Sequence, residues 1–162
     1  VCENNLYGIG TRIDRSTAVV EQYKRVDAYG IPSAQVDGQD IEVVFKAAQK
    51  AVKHVRSGKG PYFLELLTYR YRGHSMSDSN AYRSKDEEKM WSKRDPIIML
   101  RDRLIEAGEI TKDDYKAMDT EILDQIEDDI IAHAESSPEP KLEELEKYTL
   151  AENDPWVRGG KN

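Results

Sequence analysis

The chain has 162 residues, 31 of them acidic and 24 basic, for a formal net charge of −7. Its 38% hydrophobic content can fill a core, which argues against wholesale disorder. An acidic chain is a poor nonspecific nucleic-acid binder, no apolar run approaches the roughly 20 residues of a membrane span, and a single cysteine, Cys2, leaves neither an internal disulfide nor a cysteine cluster for structural zinc.

Charge is spread unevenly. Residues 111–147 hold 13 acidic and 4 basic side chains, and the rest of the chain holds 18 and 20. The acidic stretch reads as a solvated helical surface, whereas the near-neutral remainder carries the unusual motifs.

The opening Val1-Cys2-Glu3-Asn4-Asn5 has no Met, basic region or apolar core of a signal peptide. It reads as the C-terminal end of a strand entering a loop, so the chain is expected to be the C-terminal part of a larger protein. Cys2 on such a strand reads as a small core residue.

Residues 33–38 suggest a short strand. Asp40 then caps a helix whose Ile41, Val44, Phe45, Ala48, Val52 and Val55 recur at spacings of three and four, the pattern of one buried face. Gly58 and Gly60 end it, and residues 62–69, aromatic and apolar, read as a mostly buried strand. Strand, helix, strand is a βαβ unit with parallel strands and a right-handed crossover.

Residues 70–83 break the pattern with a polar, aperiodic loop of a length more often functional than incidental. Helix resumes from Asp86. Asp95-Pro96 starts another helix with Ile97, Leu100 and Leu104. Thr111 is expected to cap a longer helix with Tyr115, Met118, Ile122, Ile126 and Ile130 inward, stopped by Ser137-Pro138-Glu139-Pro140.

Two segments carry candidate chemistry. Residues 3–11 offer an Asn side chain and a carbonyl two residues on, hard oxygens suited to Mg²⁺ beside a diphosphate, with Gly8 and Gly10 allowing close backbone approach. The same residues also read as a plain strand-to-loop turn. Residues 68–78 offer Arg70 and Arg72 for an anion and His74 as donor or acid–base group. The competing reading is a surface loop whose arginines pair with carboxylates. A Ser75–His74 nucleophile pair is weak, because sequence neighbours rarely face each other and no Gly-x-Ser-x-Gly elbow is present. His54, Trp91 and Trp156 read as packing residues, and His133 as a cation at a helix C-terminus.

Taken in order, Glu3-Asn4-Asn5-Leu6-Tyr7-Gly8-Ile9-Gly10-Thr11, Tyr23-Lys24-Arg25, Val36-Asp37-Gly38-Gln39-Asp40, Arg56-Ser57-Gly58-Lys59-Gly60-Pro61 and Tyr69-Arg70-Tyr71-Arg72-Gly73-His74-Ser75-Met76-Ser77-Asp78 closely resemble the alpha subunits of the thiamine diphosphate-dependent 2-oxoacid dehydrogenases, of the pyruvate dehydrogenase type above all. The resemblance runs from residue 1 to about residue 145, and Gly-His-Ser-Met-Ser-Asp is its most specific part. The family's thiamine motif begins with Gly-Asp-Gly, which would precede Val1.

The resemblance implies an α/β fold. Residues 1–85 would form the C-terminal half of a thiamine diphosphate-binding parallel-sheet domain with a cofactor loop at 70–83. Residues 86–150 would be a helical extension and 151–162 an extended tail. It further implies that Asn5 ligates Mg²⁺ through its side chain and Tyr7 through its carbonyl. Gly8, Arg70 and His74 would contact the cofactor region, with His74 in the catalytic role. Ser75 matches the principal kinase site of mitochondrial relatives, where an added dianion would repel the diphosphate.

Arg12 and Ala81 stand where those relatives carry further phosphorylatable serines, which favours a bacterial cytoplasmic enzyme over a mitochondrial-matrix one. Arg72 stands where animal relatives have His. The implied partners are a beta subunit in an α2β2 heterotetramer, the lipoyl domain of a dihydrolipoyl acetyltransferase, and pyruvate, with neither nucleic acid nor membrane. The implied reaction is oxidative decarboxylation of pyruvate with reductive acetylation of the lipoyl group. Branched-chain 2-oxoacid or acetoin dehydrogenase alpha subunits, and an inactive assembly fragment, are the alternatives.

Overall fold

The computed structural model describes residues 1–147 and Thr149. The chain divides into two compact units, residues 1–111 and 112–162. The expected tail at 151–162, with Trp156, lies outside the described residues.

The first unit begins with β1 (Cys2–Asn4), followed by a hairpin of β2 (Tyr7–Gly8) and β3 (Thr11–Arg12). Two single helical turns, α1 (Ile13–Ser16) and α2 (Gln22–Arg25), and a 3₁₀ turn (Val26–Tyr29) lead to β4 (Ser33–Asp37). Helix α3 (Ile41–Arg56) and strand β5 (Phe63–Leu67) follow. The sheet order is β1-β5-β4 with every pair parallel, so the expected α/β class and βαβ connection hold. Strand β5 is central, with Leu64 4% and Glu65 0% exposed, which accounts for its near-continuous apolar sequence.

Asp40 caps α3 as expected, its carboxylate accepting the N–H groups of Glu42 and Val43 at 3.1 and 3.2 Å. The helix lies against β4 and β5. Its buried face is narrower than the periodicity suggested. Val44 and Ala48 are shielded with Ala47 and Ala51, but Ile41, Phe45, Val52 and Val55 are exposed, Phe45 at 62%. Three strands cover only part of a broad apolar arc. His54 packs as expected, edge-on to Tyr62 with ring centroids 5.6 Å apart.

After the polar segment come α4 (Lys85–Ser92), capped by Ser84, and α5 (Pro96–Glu106), capped by Asp95 with Pro96 in its first turn. Helix begins at Lys85, one residue before the 85/86 division expected from the sequence, and the compact unit continues through α5 to residue 111. Trp91 of α4 stacks on Tyr69 at 5.2 Å with planes 4° apart, joining helix to sheet end. Arg103 of α5 donates from both terminal nitrogens to Asp40, at 2.6 and 3.1 Å.

The second unit is helical. Helix α6 (Lys112–Gln125) starts straight after Thr111, passes through a π-helical turn (Ile126–Ile131) into α7 (Ala132–Ser136), and stops before Pro138. A short α8 (Glu144–Lys147) follows. The stripe expected to face inward is open: Met118, Ile122, Ile126 and Ile130 are 42–58% exposed, and Tyr115 is half-buried. Periodicity marks a face as apolar without naming the element that covers it. Among the described residues no helix is long and apolar enough to cross a membrane.

Candidate functional site

Parallel strands release their following loops at the same edge, the edge where open α/β sheets carry ligands. Here Asn4, at the end of β1, pairs in register with Leu67, at the end of β5. The two segments singled out in the sequence therefore leave the sheet side by side.

The loop after β1 is a tight polar turn. The Leu6 N–H donates to Asn4 Oδ1 at 3.1 Å, and the Tyr7 N–H reaches Asn5 Oδ1 at 3.4 Å. These Asx turns place Leu6 in the left-handed region at φ 72°. Ile9 (φ 54°) and Asn80 (φ 56°) are the other described non-glycine residues with positive φ, so all three lie in the two loops at this edge. Such backbone costs about 1–3 kcal/mol per residue and collects at functional sites.

The loop after β5 is organised around Asp78. Its Oδ2 accepts the His74 N–H at 2.8 Å and the Tyr82 hydroxyl at 2.7 Å, and its Oδ1 accepts the Asn80 N–H at 3.0 Å. The His74 amide, the Tyr82 hydroxyl and the Asn80 amide hold the Asp78 carboxyl at about 2, below the usual carboxylate range. Gly73 lies so close that a Cβ there would meet the Asp78 carbonyl oxygen at 2.7 Å and its Cβ at 2.8 Å. Arg70 Nη2 donates to the His74 carbonyl at 3.0 Å, which closes the loop on itself.

Arg83 joins the two loops. It is 7% exposed, donates to the Arg70 carbonyl, and places its guanidinium 5.1 Å from the Tyr7 and Tyr69 ring centroids and 5.5 Å from that of Tyr82. Tyr7 in turn packs on Tyr82 at 5.6 Å and donates its hydroxyl to Glu87 of α4 at 3.0 Å.

Between the loops is a small cleft of about 30 Å³ lined by Asn5, Tyr7, Ile9, Arg70, His74, Tyr82 and Arg83. Asn5, Tyr7, Arg70 and His74, picked out by the sequence, thus share one concavity. Gly8 lies outside it, lining a neighbouring depression with Asn5 and Tyr7. Ser75 is exposed, its hydroxyl 3.0 Å from that of Ser77. Sequence reasoning missed the roles of Arg83, Tyr82 and Asp78, although Asp78 ends the motif and Tyr82-Arg83 follows after three residues. It also missed Glu65, whose signal was a lone charge within Phe-Leu-Glu-Leu-Leu.

The family model of the dehydrogenase E1 component matches residues 1–143. The chain belongs to the dehydrogenase E1 component family. Among its relatives are the pyruvate dehydrogenase E1 component subunit alpha of Rhizobium meliloti (strain 1021), 49% identical over 90% of this chain and 42% of that protein, and the human somatic mitochondrial form, 44% identical over 98% and 41%. The mitochondrial form of Sminthopsis macroura is 43% identical over 98% and 44%. The relatives are both bacterial and mitochondrial, and the chain spans about two fifths of their length.

The lining of this E1-family cleft fits an anionic group. Arg83 Nε is buried and has no partner among the described residues. Arg70 is exposed and commits Nη2 to the His74 carbonyl, so other donors of its fork remain to meet an anion. Asn5 and the Tyr7 carbonyl offer neutral oxygens of the kind Mg²⁺ accepts. Among the described residues no three His, Cys, Asp or Glu side chains gather to hold a metal, so a bound ion would draw its remaining ligands from phosphate oxygens and from groups beyond these two.

Proposed function

We propose that this chain is the cofactor-gripping portion of a pyruvate dehydrogenase E1 alpha subunit, binding thiamine diphosphate and Mg²⁺ for the oxidative decarboxylation of pyruvate. The observation that carries this reading is the convergence of Asn5 and His74, from separate loops, on one cleft with two arginines. The names of the relatives support it.

In this reading Asn5 Oδ1 and the Tyr7 carbonyl ligate the ion. Arg70 and Arg83, which both line the cleft, would hold the diphosphate and offset its charge with their guanidinium groups. His74 lines the same space, and its imidazole makes no hydrogen bond among the described residues. It is therefore free to hold or pass a proton at the cofactor edge. When bound, thiamine diphosphate supplies the electron sink for loss of CO₂. Gly8 offers open backbone beside the ion site, with nothing within 4 Å of where a Cβ would sit.

At about 30 Å³ the cleft is an order of magnitude smaller than the ~300–1,000 Å³ of pockets that enclose a ligand whole. The opposite wall is assigned to a beta subunit in an α2β2 assembly, and residues 1–162 alone are expected to be inactive. A lipoyl domain of the acetyltransferase would be the acceptor of the acetyl group. Arg12 and Ala81, at positions of further kinase sites in mitochondrial relatives, favour a bacterial cytoplasmic setting, with Ser75 the remaining candidate for modification.

The test is turnover by the full-length alpha subunit assembled with its beta partner. CO₂ release should depend on both thiamine diphosphate and Mg²⁺ and should be faster from pyruvate than from 2-oxoisovalerate. Preference for 2-oxoisovalerate or acetoin would move the chain to the branched-chain or acetoin enzymes. No turnover with any of the three would leave an assembly role and overturn the reading.

A further inference from the structure

We propose that Glu65 is a positioning residue for the ion-binding loop, acting through the Asn4 side chain. The inference rests on the functional reading above and extends it to residues outside the lining of the cleft.

Glu65 is 0% exposed in the middle of the central strand, where an apolar side chain would serve the fold. A buried carboxylate is tolerated only where donors surround it. Three do: Asn4 Nδ2 at 2.6 Å, the Tyr23 backbone N–H at 2.9 Å and Gln35 Nε2 at 3.1 Å. They come from β1, α2 and β4, so Glu65 is the point at which three elements are tied to β5.

The consequence lies in Asn4, itself 8% exposed. A carboxylate can only accept hydrogen bonds. Glu65 therefore dictates which end of the Asn4 amide faces it: the NH₂ turns toward Glu65 and Oδ1 turns toward the loop. There Oδ1 accepts the Leu6 N–H at 3.1 Å, while the Asn4 carbonyl accepts the Thr68 N–H at 2.9 Å. Leu6, held left-handed at φ 72°, separates Asn5 from Tyr7. Its conformation sets how the Asn5 side chain and the Tyr7 carbonyl stand relative to each other. The orientation of one amide, fixed by one buried carboxylate, thus sets the spacing of the two candidate ion ligands.

Substitution with the isostere has a definite outcome. In Glu65→Gln the Tyr23 N–H and Gln35 both call for the single remaining oxygen, which leaves the new NH₂ facing Asn4. The Asn4 amide then turns over, and its own NH₂ confronts the Leu6 N–H. Adding Asn4→Asp repairs this, because a carboxylate at position 4 accepts both from the new amide NH₂ at position 65 and from the Leu6 N–H. The double variant moves the buried charge from strand β5 to strand β1 and restores every donor–acceptor pair.

The experiment uses the full alpha subunit assembled with its beta partner and reads Mn²⁺ binding by electron paramagnetic resonance in the presence of thiamine diphosphate, alongside the Mg²⁺ dependence of turnover. Glu65→Gln should weaken ion binding roughly 10–100-fold, the range for residues that orient metal ligands, with kcat at saturating Mg²⁺ much less affected. Glu65→Gln/Asn4→Asp should recover ion affinity. Asn4→Ala, which leaves Glu65 its other two donors, should weaken ion binding like Glu65→Gln and serves if the latter does not assemble.

If Glu65 were merely structural, the melting temperature would fall with no change in ion affinity, and that result overturns the proposal. So does a double variant that regains thermal stability but not ion affinity. If the wild-type assembly binds no ion with the cofactor, the functional reading itself fails and takes this inference with it.

Discussion

The Arg83 guanidinium donates to the Arg70 carbonyl and lies 5.1 Å from the centre of the Tyr7 ring, so one buried side chain touches both loops of the cleft. A charge-assisted hydrogen bond is worth about 1.5–3 kcal/mol and a desolvated cation–π contact up to about 2 kcal/mol. Arg83→Lys keeps the charge but loses the flat stacking surface and the fork. We expect trypsin to cut the variant faster at Arg70 and Arg72 and thiamine diphosphate affinity to fall about tenfold, a loss of about 1.4 kcal/mol. Unchanged cleavage and affinity would show that the ring contacts do not order the loop.

The Asp78 carboxyl sits at about 2, against an ordinary value of 3.8, because the His74 amide, the Tyr82 hydroxyl and the Asn80 amide favour its ionised form. A folded-state pKa below the unfolded one adds stability that is complete above the unfolded value and is lost as pH falls through the folded one. The loop should therefore be insensitive to pH near neutrality and lose order between about pH 4 and pH 2. Asp40, held at about 2 by the Arg103 hydrogen bonds and the Val43 N–H, contributes in the same window and the same direction. Melting temperature measured against pH should thus fall less steeply over this interval in Asp78→Asn, and less steeply again with Asp40→Asn added. Equal acid slopes for all three proteins would contradict the assignment.

Much of this arrangement is legible in the chain, and for local reasons. Asp40 and Asp95-Pro96 announce helix starts because capping chemistry is written in adjacent residues. The βαβ unit follows from two apolar runs flanking one 3.6-residue period. Asn5 and His74 stand out because each sits in a motif at a strand end. What brings them together is long-range. Arg83 reaches Tyr7 across 76 positions of chain (83 − 7), and no spacing rule predicts a ring contact of that kind. The open faces of α3 and α6 make the same point: Phe45 and Ile122 mark apolar arcs, but burial belongs to whichever neighbour covers them, and pattern alone names no neighbour. The π turn at residues 126–131, Ile-Glu-Asp-Asp-Ile-Ile, holds neither Gly nor Pro and carries no local mark of a turn.

Two glycines separate packing from ligand approach. A Cβ at Gly73 would meet Asp78 atoms at 2.7–2.9 Å, backbone oxygen included, so Gly73→Ala must push the loop apart. Overpacking of this kind costs about 1–3 kcal/mol. Gly8 has nothing within 4 Å of its Cβ position and no positive φ, so Gly8→Ala should leave the chain's own stability within about 0.5 kcal/mol of wild type. If cofactor or ion approaches Gly8, the added methyl lowers affinity in the assembled enzyme without changing the melting temperature of the apo form. Gly73→Ala should lower both. Calorimetric titration together with thermal melts separates the two patterns, and a Gly8→Ala enzyme with wild-type affinity would remove Gly8 from the binding surface.

His74 offers the sharpest distinction between holding the loop and serving the chemistry. Its backbone carries the loop contacts, through the N–H to Asp78 and the carbonyl to Arg70, and its imidazole makes no hydrogen bond among the described residues. Replacing the side chain therefore leaves Asp78, Arg70 and Arg83 in place. His74→Ala should keep its melting temperature within about two degrees, since exposed side chains away from such contacts change stability by about 0.5 kcal/mol or less. Turnover should fall roughly 10²–10⁴-fold if the imidazole moves a proton at the cofactor, chiefly in the step that passes the acetyl group to lipoyl substrate. Parallel assays with a lipoyl domain and with an artificial electron acceptor locate the defect: a larger loss with the lipoyl domain places His74 in acetyl transfer, and an equal loss in both places it in cofactor handling. Unchanged kinetics in both assays would reduce His74 to a backbone element of the loop.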